Sequence, residues 1–246
     1  MKEIRTNKVY RHLDNCKKKI VVEQGGTRSG KTYNILMWLI FSYSYNNKKK
    51  TVTICRKTFP AVRATAMRDF LDILKEYGIY REEFHNKSSS EYYLNGNRFE
   101  FISLDQPQKI RGRKRDVLFV NEANELNFED WQQLIFRTNG LTILDFNPSE
   151  EFHWIYDKVL TRDDVEFYQT TYLDNPFLSQ TIIDEIERLK HIDENSWRVY
   201  GLGERGSSKS LIFDFKTIKD IPATAKLISR GLDFGFSNDP TSLVET

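Results

Sequence analysis

The segment Gly25-Gly26-Thr27-Arg28-Ser29-Gly30-Lys31-Thr32 satisfies every fixed position of the pattern G-x-x-x-x-G-K-S/T, and it restricts the surrounding chain to one local architecture. Backbone N–H groups converge on phosphate oxygens where a glycine-permitted loop runs into a helix N-terminus. The motif therefore requires a strand before it and a helix after it. Ile20-Val21-Val22 reads as a short buried strand, and Tyr33 to Tyr45 contains neither Gly nor Pro and reads as a helix. Gly25 and Gly30 supply backbone freedom, and Gly26, Thr27, Arg28 and Ser29 complete the expected phosphate cradle. Lys31 is expected to reach the β- and γ-phosphates as a point charge, and the Thr32 hydroxyl to ligate Mg²⁺.

The rest of the chain alternates strands with helices. Thr51-Val52-Thr53-Ile54-Cys55 reads as a strand, and Pro60 opens a helix carrying Val62, Ala66, Phe70, Ile73 and Tyr77 at an approximate 3.6 period. Tyr92-Tyr93-Leu94, Asn95-Gly96 and Arg98 to Ile102 form a predicted hairpin, because Asn-Gly favours positive φ at both central residues. Val117 to Val120 and Leu141 to Leu144 are apolar strands. Asn127 is expected to cap a helix running to about Arg137, and Ser149 a helix containing Phe152, Ile155, Tyr156 and Val159. Further helices are expected from Gln180 to Lys190 and around Trp197. The expected fold is α/β, a mostly parallel P-loop NTPase sheet with helices on both faces and ligand chemistry at the carboxyl ends of its strands.

The 246 residues accommodate one large domain or one domain and part of another, and 37 Lys+Arg against 35 Asp+Glu gives no global basic signature. A nucleic-acid surface on such a chain is local. Lys17-Lys18-Lys19 and Lys48-Lys49-Lys50 read as solvated strand ends, whereas Arg111-Gly112-Arg113-Lys114-Arg115 precedes an apolar strand near the nucleotide site. Two cysteines, Cys16 and Cys55, lack metal-type spacing and fit a reducing compartment. The longest apolar run, Ile35 to Phe41, is too short to span a membrane, and the polar N-terminus is unlike a signal sequence. A soluble, non-exported protein is expected.

ATP hydrolysis also needs an acid that orients the metal and a base that aligns water. Val117-Leu118-Phe119-Val120-Asn121-Glu122 has the form of the strand end that carries them. Asn121 occupies the position that commonly holds Asp; its amide can still meet a metal-bound water but lacks the attracting charge. Glu122 is the expected general base, with Glu125 as its rival. In Asp145-Phe146-Asn147-Pro148, Asn147 is either a sensor of the γ-phosphate or part of an ordinary strand-to-helix turn. No Asn-Lys-x-Asp guanine-reading motif is present, so ATP is the expected nucleotide.

Gly201, Gly203 and Gly206-Ser207-Ser208 read as a linker, with Leu211-Ile212-Phe213 and Ile228 to Phe236 as strands beyond it. The expected division is a P-loop ATPase domain over 1–205 and a linker with a truncated second unit over 206–246, a stretch too short for an independent core.

Arg28 in the phosphate loop, Arg56-Lys57 after the second strand, Lys109-Ile110-Arg111-Gly112 before Asn-Glu-Ala-Asn, Asp145-Phe146-Asn147-Pro148, and Trp197-Arg198-Val199-Tyr200-Gly201-Leu202-Gly203 form an ordered series. Together they resemble the large subunit of tailed-bacteriophage terminases, of the type found in defective Bacillus prophages and their relatives. The resemblance covers nearly the whole chain. It implies an ATPase that drives double-stranded DNA into a procapsid in the cytoplasm of an infected host. The implied partners are the portal protein, the small terminase subunit and further copies of the chain in a ring, five on the portal. It implies that Arg111, with Arg113 as competitor, completes a neighbour's site, and that Arg28 links nucleotide state to motion. It also implies that Gly231-Leu232-Asp233-Phe234-Gly235 is the first strand of a ribonuclease H-like nuclease, with Asp233 its first metal-binding carboxylate. Nuclease activity is not expected from this chain. A helicase or recombinase-type ATPase is the alternative that shares the nucleotide motifs.

Overall fold

The structure is a computed structural model that describes residues 3–105, 114–206, 224, 226, 230–233 and 242–245. The chain divides into two compact units, residues 1–208 and 209–246. In the first, eight strands form one sheet in the order β3-β4-β5-β2-β6-β7-β1-β8. These are β1 (Ile20–Gly25), β2 (Thr51–Arg56), β3 (His85–Asn86), β4 (Glu91–Leu94), β5 (Asn97–Ser103), β6 (Val117–Val120), β7 (Thr142–Phe146) and β8 (Val165–Thr170). All pairings from β5 to β8 across the sheet are parallel, and only the β3–β4 and β4–β5 edge is antiparallel. The β4–β5 turn is the expected one, with Asn95 and Gly96 both at positive φ.

Strand alternation explains how the apolar strands serve two cores. Val21, Val52, Ile54, Phe119 and Ile143 join one buried cluster, whereas Ile20, Val22, Cys55, Leu118, Val120, Leu144 and Phe146 join another. The first cluster is covered by α1 (Lys8–Asn15), α2 (residues 31–46) and α3 (residues 59–76). Both α2 and α3 contain a wider π-type turn, at Leu39–Tyr43 and Arg63–Met67. Helix α2 is buried almost all round, from Ile35 to Ile40, as expected of a helix held between a sheet and another helical layer. Phe70 of α3 packs on Tyr92, Phe99 and Phe101 with ring centroids 5.0 to 5.8 Å apart.

The second cluster is covered by α4 (Phe128–Ile135) and α5 (Ile155–Val159). Asn127 caps α4 through a reciprocal box with Asp130, as the sequence suggests. Ser149 caps nothing: α5 starts after Trp154, and Phe152 lies 76% exposed before it. The backbone there is drawn elsewhere, since Ser149 N–H donates to Asn147 and Pro148 C=O accepts from Gly206. Helix α6 (Gln180–Ile192) is followed by α7 (residues 194–202).

Gly201 and Gly203 are not linker residues. Both are buried, and Gly203, at φ +66°, presses against the phosphate loop, where a Cβ would come within 2.6 Å of Gly25 Cα and Gly26 N. The glycines permit backbone-to-backbone packing there, a requirement that sequence composition alone confuses with flexibility. In the second unit, β9 (Arg230–Asp233) pairs antiparallel with β10 (Ser242–Glu245). The expected strand at Leu211-Ile212-Phe213 lies outside the described residues, as do Arg111 and Arg113.

Candidate nucleotide site

The phosphate loop joins β1 to α2 and is pinned by its carbonyl groups. Lys31 Nζ donates to Gly25 O at 2.8 Å and Gly26 O at 3.1 Å, Asn175 Nδ2 donates to Arg28 O at 2.8 Å, and Asn7 Nδ2 donates to Ser29 O at 2.9 Å. Arg28 and Gly30 both adopt positive φ. The first-turn amides of α2 have no intrahelical acceptor. Earlier in the loop, the amides of Gly26, Thr27 and Ser29 donate to Thr170 O at 3.1 Å, Tyr200 O at 2.6 Å and Gly26 O at 3.4 Å. The Arg28 side chain is exposed.

Asn7 and Asn175 escaped the sequence reading because each lies far from the loop in sequence and belongs to no motif. Asn7 also caps α1, through its side chain to Val9 N, and that cap is the one local signal it carries.

Behind the loop, Asn121 at the end of β6 and Asp145 and Asn147 at the end of β7 meet Lys31 and Thr32 of α2. Thr32 Oγ1 donates to Asp145 Oδ2 at 2.5 Å. Asn121 Nδ2 reaches Asp145 Oδ1 at 3.0 Å, Asp145 Oδ2 at 3.2 Å and Thr32 Oγ1 at 3.1 Å. Asn121 Oδ1 accepts from Thr65 at 3.3 Å. Asn147 Oδ1 accepts from Lys31 Nζ at 2.9 Å. Thus Lys31, Thr32, Asn121 and Asn147 are brought together as a set, and Asp145, unassigned in the sequence reading, lies at its centre.

Glu122 follows β6 in a left-handed conformation, φ 52° and ψ 59°, with its N–H donating to Asp145 Oδ1 at 2.9 Å. A non-glycine residue in that region is strained, and the hydrogen bond to Asp145 holds it there. Glu125 is held by Arg56, which donates to both its carboxylate oxygens at 2.9 and 2.5 Å. Such a two-point pairing occupies the oxygens a base would need.

Burial dominates the electrostatics. Desolvation lowers the pKa of Lys31, against the pull of Asp145, Glu122 and Glu23. Desolvation raises Asp145, opposed by Lys31, Thr32, the Glu122 amide and Asn121. Glu122 is raised by desolvation first and by the nearby Asp145 charge second. A pocket that disfavours its own charges in this way is suited to a ligand that brings both signs, an anion with its cation.

The parallel sheet, the loop at the β1–α2 junction and the polar residues at the ends of β6 and β7 define a P-loop NTPase of the α/β class. The family model described as phage terminase large subunit matches residues 17–204, and the chain belongs to that family. Among curated proteins, the PBSX phage terminase large subunit of Bacillus subtilis (strain 168) is 22% identical over 256 residues, covering 89% of this chain and 59% of its own length. The chain spans about three fifths of the length of the curated relatives it matches. The large terminase of a thermophilic bacteriophage, solved in complex with ADP, superposes with a TM-score of 0.68 at 18% identity, over 98% of this chain and 64% of that one. The large terminase ATPase domain of Thermus phage P74-26 superposes with a TM-score of 0.60 at 14% identity, over 81% of this chain and 94% of that domain. Among the described residues no helix is long and apolar enough to cross a membrane.

Proposed function

We propose that this chain is the ATP-hydrolysing part of a viral DNA-packaging motor, acting on double-stranded DNA at the portal of a procapsid. The observation that carries the reading is the convergence of Lys31, Thr32, Asp145, Asn121 and Asn147 behind the phosphate loop. Family membership over residues 17–204 supports the packaging role, and the ADP-bound relative supports the nucleotide.

In this reading the loop amides and Lys31 bind and orient the phosphates. Lys31 leaves its carbonyl partners to meet the β- and γ-phosphates, where a desolvated ammonium is worth more than in water. Glu122 positions the attacking water and takes its proton. Arg28 couples the state of the loop to movement, and a neighbouring subunit's Arg111 or Arg113 enters across a ring interface.

The Thr32 hydroxyl oxygen, with the Asp145 carboxylate behind it, fits a hard divalent cation such as Mg²⁺. Among the described residues there is no group of three or more His, Cys, Asp or Glu that could cage a metal alone. That fits an ion held chiefly by nucleotide phosphates. When bound, Mg²⁺ neutralises charge on the phosphates as the terminal one is transferred. In the second unit, Asp233 at the end of β9 is proposed as the first carboxylate of a ribonuclease H-like strand.

Phosphate release in Mg²⁺ with and without linear double-stranded DNA tests the motor reading. Stimulation by the duplex, with no strand separation, is expected. Unwinding of a forked duplex in proportion to ATP turnover would instead identify a helicase.

A further inference from the structure

We propose that Asp145, and not the residue at the β6 end, supplies the carboxylate charge that positions the metal of a metal-nucleotide complex, acting through the Thr32 hydroxyl. This deepens the nucleotide-hydrolysis reading and rests on it. The position at which such an acid is expected, the residue after the apolar β6 strand, holds Asn121. Taken by itself, that substitution leaves the site short of one negative charge.

The sheet supplies the charge from the next strand. β7 lies between β6 and β1, so its end is nearer the phosphate loop than the end of β6. In register, Asp145 pairs with Glu23 of β1, while Val120 pairs with Leu144, so Asn121 and Asp145 are the next neighbours across β6 and β7. Ile143 belongs to the cluster under α2, and alternation puts Asp145, two residues on, on that same face. Asp145 is 1% exposed, and its carboxylate receives the Thr32 hydroxyl at 2.5 Å.

The other partners of Asp145 are all hydrogen-bond donors. Thr32 Oγ1, Asn121 Nδ2 and the Glu122 amide all donate, and together they engage both carboxylate oxygens. A carboxylate is acceptor-only and suits three donors; an amide at 145 would set its own NH₂ against one of them. Lys31 does not form the missing ion pair, because its ammonium is directed to Gly25 O, Gly26 O, Ser29 Oγ and Asn147 Oδ1. A cation beside the Thr32 hydroxyl would meet a buried, oriented negative charge. Asn121 then has a role of its own. Its amide orients Asp145, and an acid there in addition would place two carboxylates about 3 Å apart, which disfavours ionisation of both. The site carries one charge, transposed by one strand.

Asp145 is thus a positioning residue, and its test reads metal binding directly. Mn²⁺ binding in the presence of ADP is measured by electron paramagnetic resonance, and fluorescent ADP binding is measured separately in EDTA. The proteins are wild type, Asp145→Asn, and the exchange Asn121→Asp/Asp145→Asn. Asp145→Asn is expected to weaken Mn²⁺ by about tenfold or more, as loss of a partner behind a metal ligand does, with metal-free ADP binding kept. The exchange returns one carboxylate to the pair and is expected to recover most of the Mn²⁺ affinity. Undiminished Mn²⁺ binding by Asp145→Asn overturns the proposal. So does parallel loss of Mn²⁺ and metal-free ADP binding, which would make Asp145 a scaffold for the loop. If Asp145→Asn does not fold, the exchange variant decides: folded but unable to hold Mn²⁺, it contradicts the proposal. Failure of the underlying reading looks different, since wild type itself would then bind no ADP.

Discussion

The Lys31 ammonium donates a 2.9 Å hydrogen bond to Asn147 Oδ1, joining the phosphate loop to the chain just after β7 across 116 residues of sequence. In the proposed function Lys31 turns to the nucleotide phosphates, which redistributes this contact and gives Asn147 the role of sensing the third phosphate. Its neighbour Pro148 accepts from Gly206 N–H, which links the same turn to the chain near the end of the first unit.

Asn147→Asp should therefore weaken ATPγS binding more than ADP binding, because the added negative charge faces the terminal phosphate. Asn147→Ala should keep ADP affinity within a few-fold and slow hydrolysis by about tenfold or more. Equilibrium titrations with the two nucleotides check the first, and phosphate release the second. Equal losses for ADP and ATPγS in Asn147→Asp would assign Asn147 to the fold of the turn.

Two glycines at similar φ separate strain from close approach. Gly78 sits at φ +69° with nothing within 4 Å of an added Cβ, whereas Gly203 sits at φ +66° with Gly25 and Gly26 at 2.6 Å. Gly78→Ala should lower stability by about 1 kcal/mol, the left-handed backbone penalty alone. Gly203→Ala should lower it further and also weaken ADP binding, since the phosphate loop must shift. Chemical denaturation and ADP titration measure both. Normal ADP affinity in Gly203→Ala would uncouple residues 197–203 from the loop.

Glu23, on β1 beside the site, provides a pH test. It is fully buried, 3.0 Å from His12 Nδ1, and His12 stacks on Tyr168. Desolvation raises its pKa above 4.5, while His12 and Lys31 pull it down and Asp145 pushes it up. An acid with a raised folded pKa contributes stability that is complete below its unfolded value and is lost as pH rises through the folded one. Glu23→Gln fixes the neutral form. Its melting temperature relative to wild type should rise as pH increases above about 4.5, the ordinary value from which burial raises Glu23. A relative fall as pH increases would mean that the His12–Glu23 charge pair outweighs burial.

Much of this architecture is legible in the residues because it depends on local chemistry. Gly25 to Thr32, Asn95-Gly96 and Asn127 with Asp130 each fix their turn or cap within a few positions. Val117 to Val120 is apolar throughout because both of its faces are buried. What escaped is long-range. Asp145 stands in a strand end that reads as a turn, and only strand order brings its carboxylate to Thr32. Asn7 and Asn175 satisfy loop carbonyls from 22 and 147 residues away. Gly201 and Gly203 show the composition of a linker yet serve a backbone contact, because glycine answers both needs.

The most direct test of the account is γ-phosphate release from ATP in Mg²⁺ by wild type, Glu122→Gln and Glu125→Gln, with ATP binding measured on the same samples. The backbone of Glu122 is fixed at the end of β6 by its N–H bond to Asp145 Oδ1, whereas the Glu125 carboxylate is engaged by Arg56. Wild type should turn over, Glu122→Gln should bind ATP and lose about a hundredfold or more in rate, and Glu125→Gln should retain most of its activity. Wild-type turnover by Glu122→Gln together with an inactive Glu125→Gln would contradict the assignment of the base, and a wild-type chain that binds ATP without releasing phosphate would contradict the account of the site as a hydrolase.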